Sequence, residues 1–372
     1  MPAKGDGITK RKDGRYMARY TVHTPGGPKR KLIYGKKYKE VEKKLNEARG
    51  DAARGITYDA GAQTVGEYLA RWLSDSVRDT VRQRTYERYE SIVRVHLDPS
   101  IGRLKLKALT PAHVRALYRE RLDAGLAPRS VLHIHRILSK ALKQAHDDGL
   151  VARNAAGTVR PPRPRREEIR PLNREQVRIL FKAAREDRLE ALYVVAVTAG
   201  LRRGELQGLK WDDVDLSGVT GTLQVRRTLS EPRGGYIFEA PKSGKGRSVR
   251  LTRKATASLR KHRKRQLEER MQKAGLWRNH GLVFPSGIGT PLLGGNLNRA
   301  FKATLQRAGL PSIRFHDLRH TCATLLLRQG VNPMYVQELL GHSDISITLN
   351  VYSHVLPDMG DAAAGAMDAA LG

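Results

Sequence analysis

The stretch RFHDLRHT, residues 314–321, places two histidines one helical turn apart, His316 and His320. Metalloproteases hold zinc with this spacing, and they carry a glutamate after the first histidine as a base. Here Asp317 replaces that glutamate, and Arg319 stands beside the second histidine. A fixed positive charge is unfavourable next to a divalent cation and favourable next to an anion. The stretch therefore predicts an anion site without a metal, with His320 supporting it from behind or filling the core.

The composition indicates what kind of anion this is. The chain has 372 residues, enough for two or three domains with cores of their own. It carries 69 Lys and Arg against 37 Asp and Glu, a formal net charge of +32. A positive potential of this size is useful chiefly toward a polyanion, so nucleic acid is the expected partner. A basic protein of the ribosomal type is the alternative at this stage.

Cysteine content and hydropathy limit the compartment. Cys322 is the only cysteine, which excludes a disulfide framework and a thiolate metal site. No apolar run is long enough to span a membrane, and the N-terminal residues lack the apolar core of a signal peptide. We therefore expect a cytoplasmic protein with no membrane partner.

Residues 1–60 predict a small sheet followed by one helix. In GRYMARYTV, residues 14–22, alternate side chains share one face, as in a half-buried strand, and KLIYGKKY, residues 31–38, predicts a second strand. KEVEKKLNEARG, residues 39–50, predicts an amphipathic helix that ends at Gly50. Such a small, basic module is typical of a DNA-binding appendage, although a solvated cap has the same pattern.

Residues 62–158 have helical periodicity throughout. One apolar stripe begins at Val65 and another at Tyr86, and a later helix has Thr110 as its N-cap and stops at Gly125. The pattern predicts a compact bundle of about four helices. Its three histidines lack convergent partners and are expected to be structural or surface groups: His133, His135 and His146.

A linker is predicted at residues 159–170. This range contains most of the segment RPPRPRREEIRP, residues 160–171. Its prolines prevent a helix, and its arginines suit a connector that follows a phosphate backbone, although a plain solvated linker fits as well.

Residues 171–360 predict helices interrupted by three short strands, in TLQVRRTLS, GYIFEAPK and GRSVRLT. The fold class is thus mainly α with small β-sheets (α+β). The Ala- and Gly-rich tail, residues 361–372, is compatible with a short helix that docks on a neighbouring protomer or with a disordered end.

Five separated motifs, in order, resemble those of the tyrosine recombinase (phage-type integrase) family. They are TAGLRRGEL with Arg202, APKSGKGR with Lys242, HDLRHT with His316 and Arg319, ELLGHSD with His342, and TLNVYSHV with Tyr352. They span about half the chain. The resemblance implies a three-domain architecture: an arm-type DNA-binding domain, a helical core-binding (SAM-like) domain and a mixed α/β catalytic domain.

Arginine forks suit the transition state of phosphoryl transfer, which spreads negative charge over the non-bridging oxygens. Arg202 and Arg319 are the expected forks. Arg203, on the same helix as Arg202, would point away and is assigned to the DNA backbone or the surface. Glu205 is expected to orient an arginine or a helix end and not to carry a proton.

The remaining four roles follow from the resemblance and from ordinary acidities. Tyr352 is the expected nucleophile; its phenol has a reference pKa of about 10, so His316 is expected to accept its proton. Lys242 is expected to protonate the departing sugar oxygen, with Lys245 as a nearby alternative. His342 is expected to hydrogen-bond the phosphate.

The resemblance also implies partners. These are double-stranded DNA attachment sites of core and arm type, a homotetramer on DNA, a directionality factor and a host DNA-bending protein, with no cofactor. The implied function is a site-specific recombinase that integrates and excises a phage or other mobile element through a 3′-phosphotyrosyl intermediate. A non-enzymatic DNA-binding or architectural protein and a type IB topoisomerase are the alternatives.

Overall fold

The computed structural model describes residues 7–24, 27–53, 63–164, 170–241, 244, 246–342, 344–346, 349 and 359–372. The chain divides into two compact units, Met1–Arg166 and Glu167–Gly372. Both units are built largely from helices with small antiparallel sheets, which confirms the predicted fold class. None of the described helices is long and apolar enough to cross a bilayer.

The first unit begins with three antiparallel strands and a helix. They are β1 (Ile8–Lys10), β2 (Tyr16–Thr24), β3 (Gly27–Gly35) and α1 (Tyr38–Ala53). Ala18 and Tyr20 of β2 pack with Val41 and Leu45 of α1, which confirms the predicted strand alternation and helix face.

Three details of this N-terminal layer differ from the prediction. Strand β1 was not predicted. The second predicted strand was to reach Tyr38, but β3 ends at Gly35 and Tyr38 is the first residue of α1. Gly50 does not end α1, which continues to Ala53. A glycine inside a helix costs only about 1 kcal/mol relative to alanine, and the apolar face of α1 outweighs that cost.

The rest of the first unit is a helical bundle with a separate core. Its helices are α2 (Val65–Trp72), α3 (Gln83–Ile92), α4 (Asp98–Ile101), α5 (Pro111–Asp123) and α6 (Pro128–Asp147). Wider π-helical turns, Leu73–Val77 and Val93–Leu97, extend α2 and α3, and a short 3₁₀ turn spans Leu106–Ala108. The Thr110 hydroxyl caps α5, as predicted, by accepting a hydrogen bond from the backbone N–H of His113.

Two of the three histidines predicted to be structural or surface groups, His135 and His146, have contacts of that kind. The His135 ring shares a hydrogen bond of 2.6 Å with the Tyr118 hydroxyl, between α5 and α6. His146 is exposed beside Asp147 at the end of α6. Both findings agree with the structural or surface role predicted for these residues.

The second unit is organised around one buried helix. Its helices are α7 (Arg174–Ala183), α8 (Glu190–Ala199), α9 (Arg203–Gly208), α10 (Arg253–Gln272), α11 (Gly294–Arg307), α12 (Asp317–Arg328), α13 (Pro333–Leu340) and α14 (Met359–Leu371). Helix α8 is buried on nearly every side and packs against α10 and α12. Because α12 carries the motif HDLRHT, this packing fixes the motif to the core of the unit.

Two small sheets flank these helices. They contain β4 (Val214–Asp215), β5 (Thr222–Val225) and β8 (Arg247–Arg250) in one sheet, and β6 (Thr228–Ser230) and β7 (Ile237–Glu239) in the other. The segment TLQVRRTLS, predicted as one strand, is therefore two strands in different sheets. The break falls at Arg226 and Arg227, where Arg227 turns to form an ion pair with the buried Asp213 in the 3₁₀ turn Trp211–Asp213.

The C-terminal tail is helical. Helix α14 spans Met359–Leu371, which confirms the helical alternative and contradicts the disordered one. Docking of this helix on a neighbouring protomer stays a prediction.

Candidate active site

Four of the six predicted catalytic residues belong to the described residues, and all four lie in the second unit: Arg202, His316, Arg319 and His342. Lys242 and Tyr352 lie outside the described residues, as does the alternative Lys245.

Arg202 lies in the tight connection between α8 and α9. Gly200 ends α8 in the left-handed conformation, with φ 61°, and Arg202 is the N-cap of α9. Nη1 of Arg202 donates to Oε1 of Glu205 at 2.9 Å, and Nη2 donates to the Gly341 carbonyl at 2.8 Å. The guanidinium is thus fixed from two sides.

Glu205 is the buried carboxylate that holds this region together, with 2% of its surface exposed. It accepts hydrogen bonds from the backbone N–H and the guanidinium of Arg202 and from Nη1 and Nη2 of Arg247. Burial acts to raise the pKa of Glu205, but the hydrogen bonds and charges of Arg247 and Arg202 outweigh it, so the pKa lies below its ordinary value. The role expected for Glu205, to orient an arginine, agrees with its ion pairs with Arg202 and Arg247.

Arg319 is a buried cation on α12, with 3% of its surface exposed. Its Nη1 donates to the Gly200 carbonyl at 2.8 Å, which joins α12 to the connection that precedes Arg202. A Cβ on Gly200 would lie 2.5 Å from Cδ2 of Leu340. The same Cβ would lie 3.3 Å from Sγ of Cys322 on α12, so the positive φ and these close approaches all favour glycine at this position.

His316 precedes α12 and is anchored by its neighbour. Phe315 packs on Phe301 with ring centroids 5.4 Å apart, and the ring of His316 meets that of His320 edge-on at 5.2 Å. Burial lowers the pKa of His316, and the charge of Arg319 lowers it further. Burial also lowers the pKa of His320 to about 4.

Both imidazoles are therefore neutral at pH 7, and His316 is able to accept a proton. Asp317, which replaces the glutamate of a zinc motif, accepts a hydrogen bond from the Arg314 backbone N–H at 2.8 Å and is paired with the Arg314 guanidinium. Within the described ranges, no group of three or more His, Cys, Asp or Glu side chains is placed to hold a metal ion.

His342 follows the end of α13. Gly341 ends that helix with φ 63°, and the backbone N–H of His342 donates to the Gln337 carbonyl at 3.1 Å. Burial lowers the pKa of His342 to about 4, and the charges of Arg319 and Arg202 act in the same direction. The ring is therefore a neutral donor or acceptor within reach of both arginine charges.

These side chains form one group, which we call the cationic cluster: Arg202, Arg247, Arg319, His316, His320 and His342. Arg202 and Arg247 share the carboxylate of Glu205, and Arg319 adds a third guanidinium, so the cluster keeps a positive charge. Planar guanidinium forks beside neutral imidazoles can bind phosphate oxygens and move a proton.

Arg247 was not identified from the sequence. It opens β8, and its partner Glu205 lies 42 positions earlier, so no local pattern connects the two. Arg203 takes no part in the cluster, as predicted: a Cβ on Gly294 would lie 2.7 Å from its Cζ, which places the Arg203 guanidinium at the start of α11.

Comparisons with known proteins agree with the geometry. Residues 170–359 match the family described as "Phage integrase family", and residues 64–122 match "Phage integrase, N-terminal SAM-like domain". A "Tyrosine recombinase XerC-like" protein of Caldanaerobacter subterraneus subsp. tengcongensis is 32% identical over 370 residues, covering 93% of this chain and 94% of that protein.

Solved structures share the fold. An integrase of the Tn1549 transposon, in complex with a circular intermediate DNA, has a TM-score of 0.70 at 21% identity and covers 82% of this chain and 100% of that one. A lambda integrase tetramer bound to a Holliday junction has a TM-score of 0.54 at 20% identity, covering 91% of this chain and 96% of that one.

Proposed function

Because the chain belongs to the phage integrase family of tyrosine recombinases, we propose that it cuts and rejoins DNA through a covalent bond between Tyr352 and a 3′ phosphate. It is a tyrosine-type site-specific recombinase that integrates mobile DNA. The observation that carries the proposed chemistry is the convergence of Arg202, Arg319, His316 and His342 in the cationic cluster.

The arginines would bind the scissile phosphate. A guanidinium has five N–H donors, and within the described part of the chain Arg202 gives one to Glu205 and one to the Gly341 carbonyl. The other donors suit two non-bridging oxygens. Arg319 donates through Nη1 to the Gly200 carbonyl and adds a second positive charge. Charge that is fixed before the reaction stabilises the transition state without a cost of reorganisation.

The strand would be cut by in-line displacement. The Tyr352 oxygen attacks phosphorus and gives its proton to His316, whose lowered pKa keeps it neutral and able to accept. The bond between phosphorus and the 5′ oxygen breaks, and Lys242 donates a proton to that oxygen. His342 donates its ring N–H to a non-bridging oxygen.

The energy of the phosphodiester is kept in the phosphotyrosine. A 5′ hydroxyl of another strand can therefore attack it in the reverse reaction, which rejoins DNA without ATP. In many nucleases, metal ions stabilise the negative charge on the phosphate oxygens. In this scheme the guanidinium groups do so, and the scheme contains no metal or other cofactor.

We assign residues 1–60 to an arm-type DNA-binding domain, residues 62–158 to a core-binding domain, residues 159–170 to a linker and residues 171–360 to the catalytic domain. Separate hydrophobic cores in the N-terminal layer, the helical bundle and the second unit support this division.

The partners would be double-stranded core and arm sites, and the active form a tetramer, as the lambda integrase forms on a Holliday junction. A directionality factor and a host DNA-bending protein would select integration or excision. The reaction on genomic DNA would take place in the cytoplasm of a bacterial cell.

A nicked attachment site tests the catalytic assignment. When cleavage releases a short fragment beside the nick, rejoining is prevented and the covalent adduct accumulates. We expect the wild-type protein to form the adduct in EDTA, and Tyr352→Phe to bind the same DNA without forming it. Tyr335→Phe is the matched control, because Tyr335 is an exposed tyrosine on α13 of the same unit.

Three outcomes would contradict the proposal. An adduct with Tyr352→Phe would identify another nucleophile. Specific binding without any wild-type adduct would favour the non-enzymatic alternative. Relaxation of supercoiled DNA by a monomer, without site preference, would favour a topoisomerase.

A further inference from the structure

We infer that Arg247 is a positioning residue for strand cleavage, which orients Arg202 and His342 by holding Glu205 and the end of α13. This inference rests on the proposed function. Arg247 itself is not expected to touch the DNA, since the known contacts of its guanidinium point into the protein.

Arg247 is bound by three separate hydrogen bonds. Nη1 and Nη2 donate to Oε1 and Oε2 of Glu205 at 3.1 and 2.8 Å, which is a two-point pairing of guanidinium and carboxylate. Nε donates to the Leu339 carbonyl at 2.9 Å. With 10% of the side chain exposed, this arrangement is shielded from water and rigid.

Arg202 also binds Glu205 and the end of α13. It donates to Oε1 of Glu205 and to the Gly341 carbonyl. Two arginines therefore share one carboxylate and also bind two carbonyls at the end of α13, Leu339 and Gly341. These carbonyls belong to the last turn of a helix, where they have no partner within the helix and carry a partial negative charge.

The turn that presents His342 lies directly against Arg247. A Cβ on Gly341 would be 2.9 Å from Nη1 of Arg247. Removal of the guanidinium would therefore leave a gap under Gly341, next to the residue that we expect to bind the phosphate. It would free the Leu339 carbonyl as well, and the end of α13 would keep the contact of Arg202 with Gly341 but lose that of Arg247.

Charge provides a second effect. A buried carboxylate paired with Arg202 alone would cancel the charge that the phosphate needs. With Arg247 present, two guanidinium groups share one carboxylate, and the trio keeps one net positive charge. Arg247 thus allows Glu205 to orient Arg202 without neutralising it.

The test compares Arg247→Met with Arg247→Lys in single-turnover cleavage of a nicked site at saturating DNA. We expect Arg247→Met to lower the cleavage rate by about 10- to 100-fold, the size of effect that a misplacement of about 1 Å has on a reacting group. DNA affinity is expected to change by less than about threefold, because one buried charge adds little to many phosphate contacts. Arg247→Lys keeps the charge but not the fork, and should restore only part of the rate.

A substrate with an uncharged methylphosphonate at the scissile position separates positioning from folding. Removal of the negative charge reduces the demand for an oriented Arg202, so the rate deficit of Arg247→Met should shrink to less than about threefold on this substrate. The control is Arg250→Met, which removes an exposed arginine from the same strand and should cleave both substrates at the wild-type rate.

Two results would overturn the inference: cleavage by Arg247→Met at the wild-type rate, or an equal deficit on both substrates. If Arg247→Met melts below the assay temperature, the same comparison of substrates is made with Arg247→Lys, and an equal deficit of that variant on both substrates overturns the inference too. Failure of the wild-type protein to form any adduct would instead contradict the proposed function.

Discussion

Replacement of Glu205 by glutamine should destabilise the second unit strongly. The carboxylate accepts four hydrogen bonds, two at each oxygen, from Arg202 and Arg247. Glutamine has nearly the same shape, but only one of its two terminal atoms accepts hydrogen bonds. Two of the four bonds would be lost, N–H groups would face N–H groups, and two partly buried guanidinium groups would lose their counter-charge.

The expected loss is about 3–5 kcal/mol in the free energy of unfolding, the usual result of removing one partner from a buried ion pair. For a unit of this size, that corresponds to a fall of about 6–20 °C in melting temperature. Urea unfolding followed by circular dichroism and tryptophan fluorescence measures it, since Trp211 and Trp277 both lie in the second unit.

Glu175→Gln is the matched control for this prediction. Glu175 pairs with Arg178 at 3.2 Å, but the two side chains are 67% and 60% exposed. Exposed pairs contribute little, so this change should cost less than about 0.5 kcal/mol. A loss below about 1 kcal/mol for Glu205→Gln would refute the reasoning that this carboxylate holds the two arginines in place.

Three further predictions concern packing, pH and the N-terminal domain. Gly200→Ala should cost about 1–3 kcal/mol, because a Cβ there meets Leu340 at 2.5 Å on a backbone with positive φ; an unchanged melting temperature would contradict this. The free energy of unfolding should fall as the pH is lowered from 6.5 toward 4, by up to about 1.4 kcal/mol per pH unit for each histidine that is protonated only in the unfolded chain. Three buried or half-buried histidines have a folded-state pKa of about 4: His262, His320 and His342. Urea titrations at pH 7, 6 and 5 that give equal stabilities would contradict this sign. Deletion of residues 1–60 should reduce recombination on full attachment sites more than cleavage of a minimal core site, and equal losses would contradict the arm-binding assignment.

Signals that act within one or two helical turns were sufficient for much of the fold. Thr110 before a proline predicted the start of α5, because a helix cap depends on a few neighbouring residues. The apolar stripe that begins at Val65 lies in the bundle core, as its period predicted.

The errors arose where tertiary contacts override local preference. Gly50 remains inside α1, whose buried residues Val41, Leu45 and Ala48 hold the helix against the sheet. The segment at residues 222–230 breaks because Arg227 pairs with Asp213, a contact that strand periodicity does not encode.

The same limit applies to the candidate site. The motifs predicted Arg202, Arg319, His316 and His342 as site residues, but the contacts that hold the two arginines are long-range. Arg247 meets Glu205 only after β8 packs beside α9, so its part in the cluster has no local signature. The catalytic roles of all six residues remain predictions, and Lys242 and Tyr352 lie outside the described residues.

The most direct test of the central claim is to identify the residue that carries the DNA. Residues 329–372 contain no lysine or arginine, so trypsin would release them as one peptide with two tyrosines, Tyr335 and Tyr352. After nuclease digestion of the trapped complex, fragment masses should place the remaining 3′-linked nucleotide on Tyr352. A nucleotide on Tyr335 or on any other residue, or a link to a 5′ phosphate, would contradict the account.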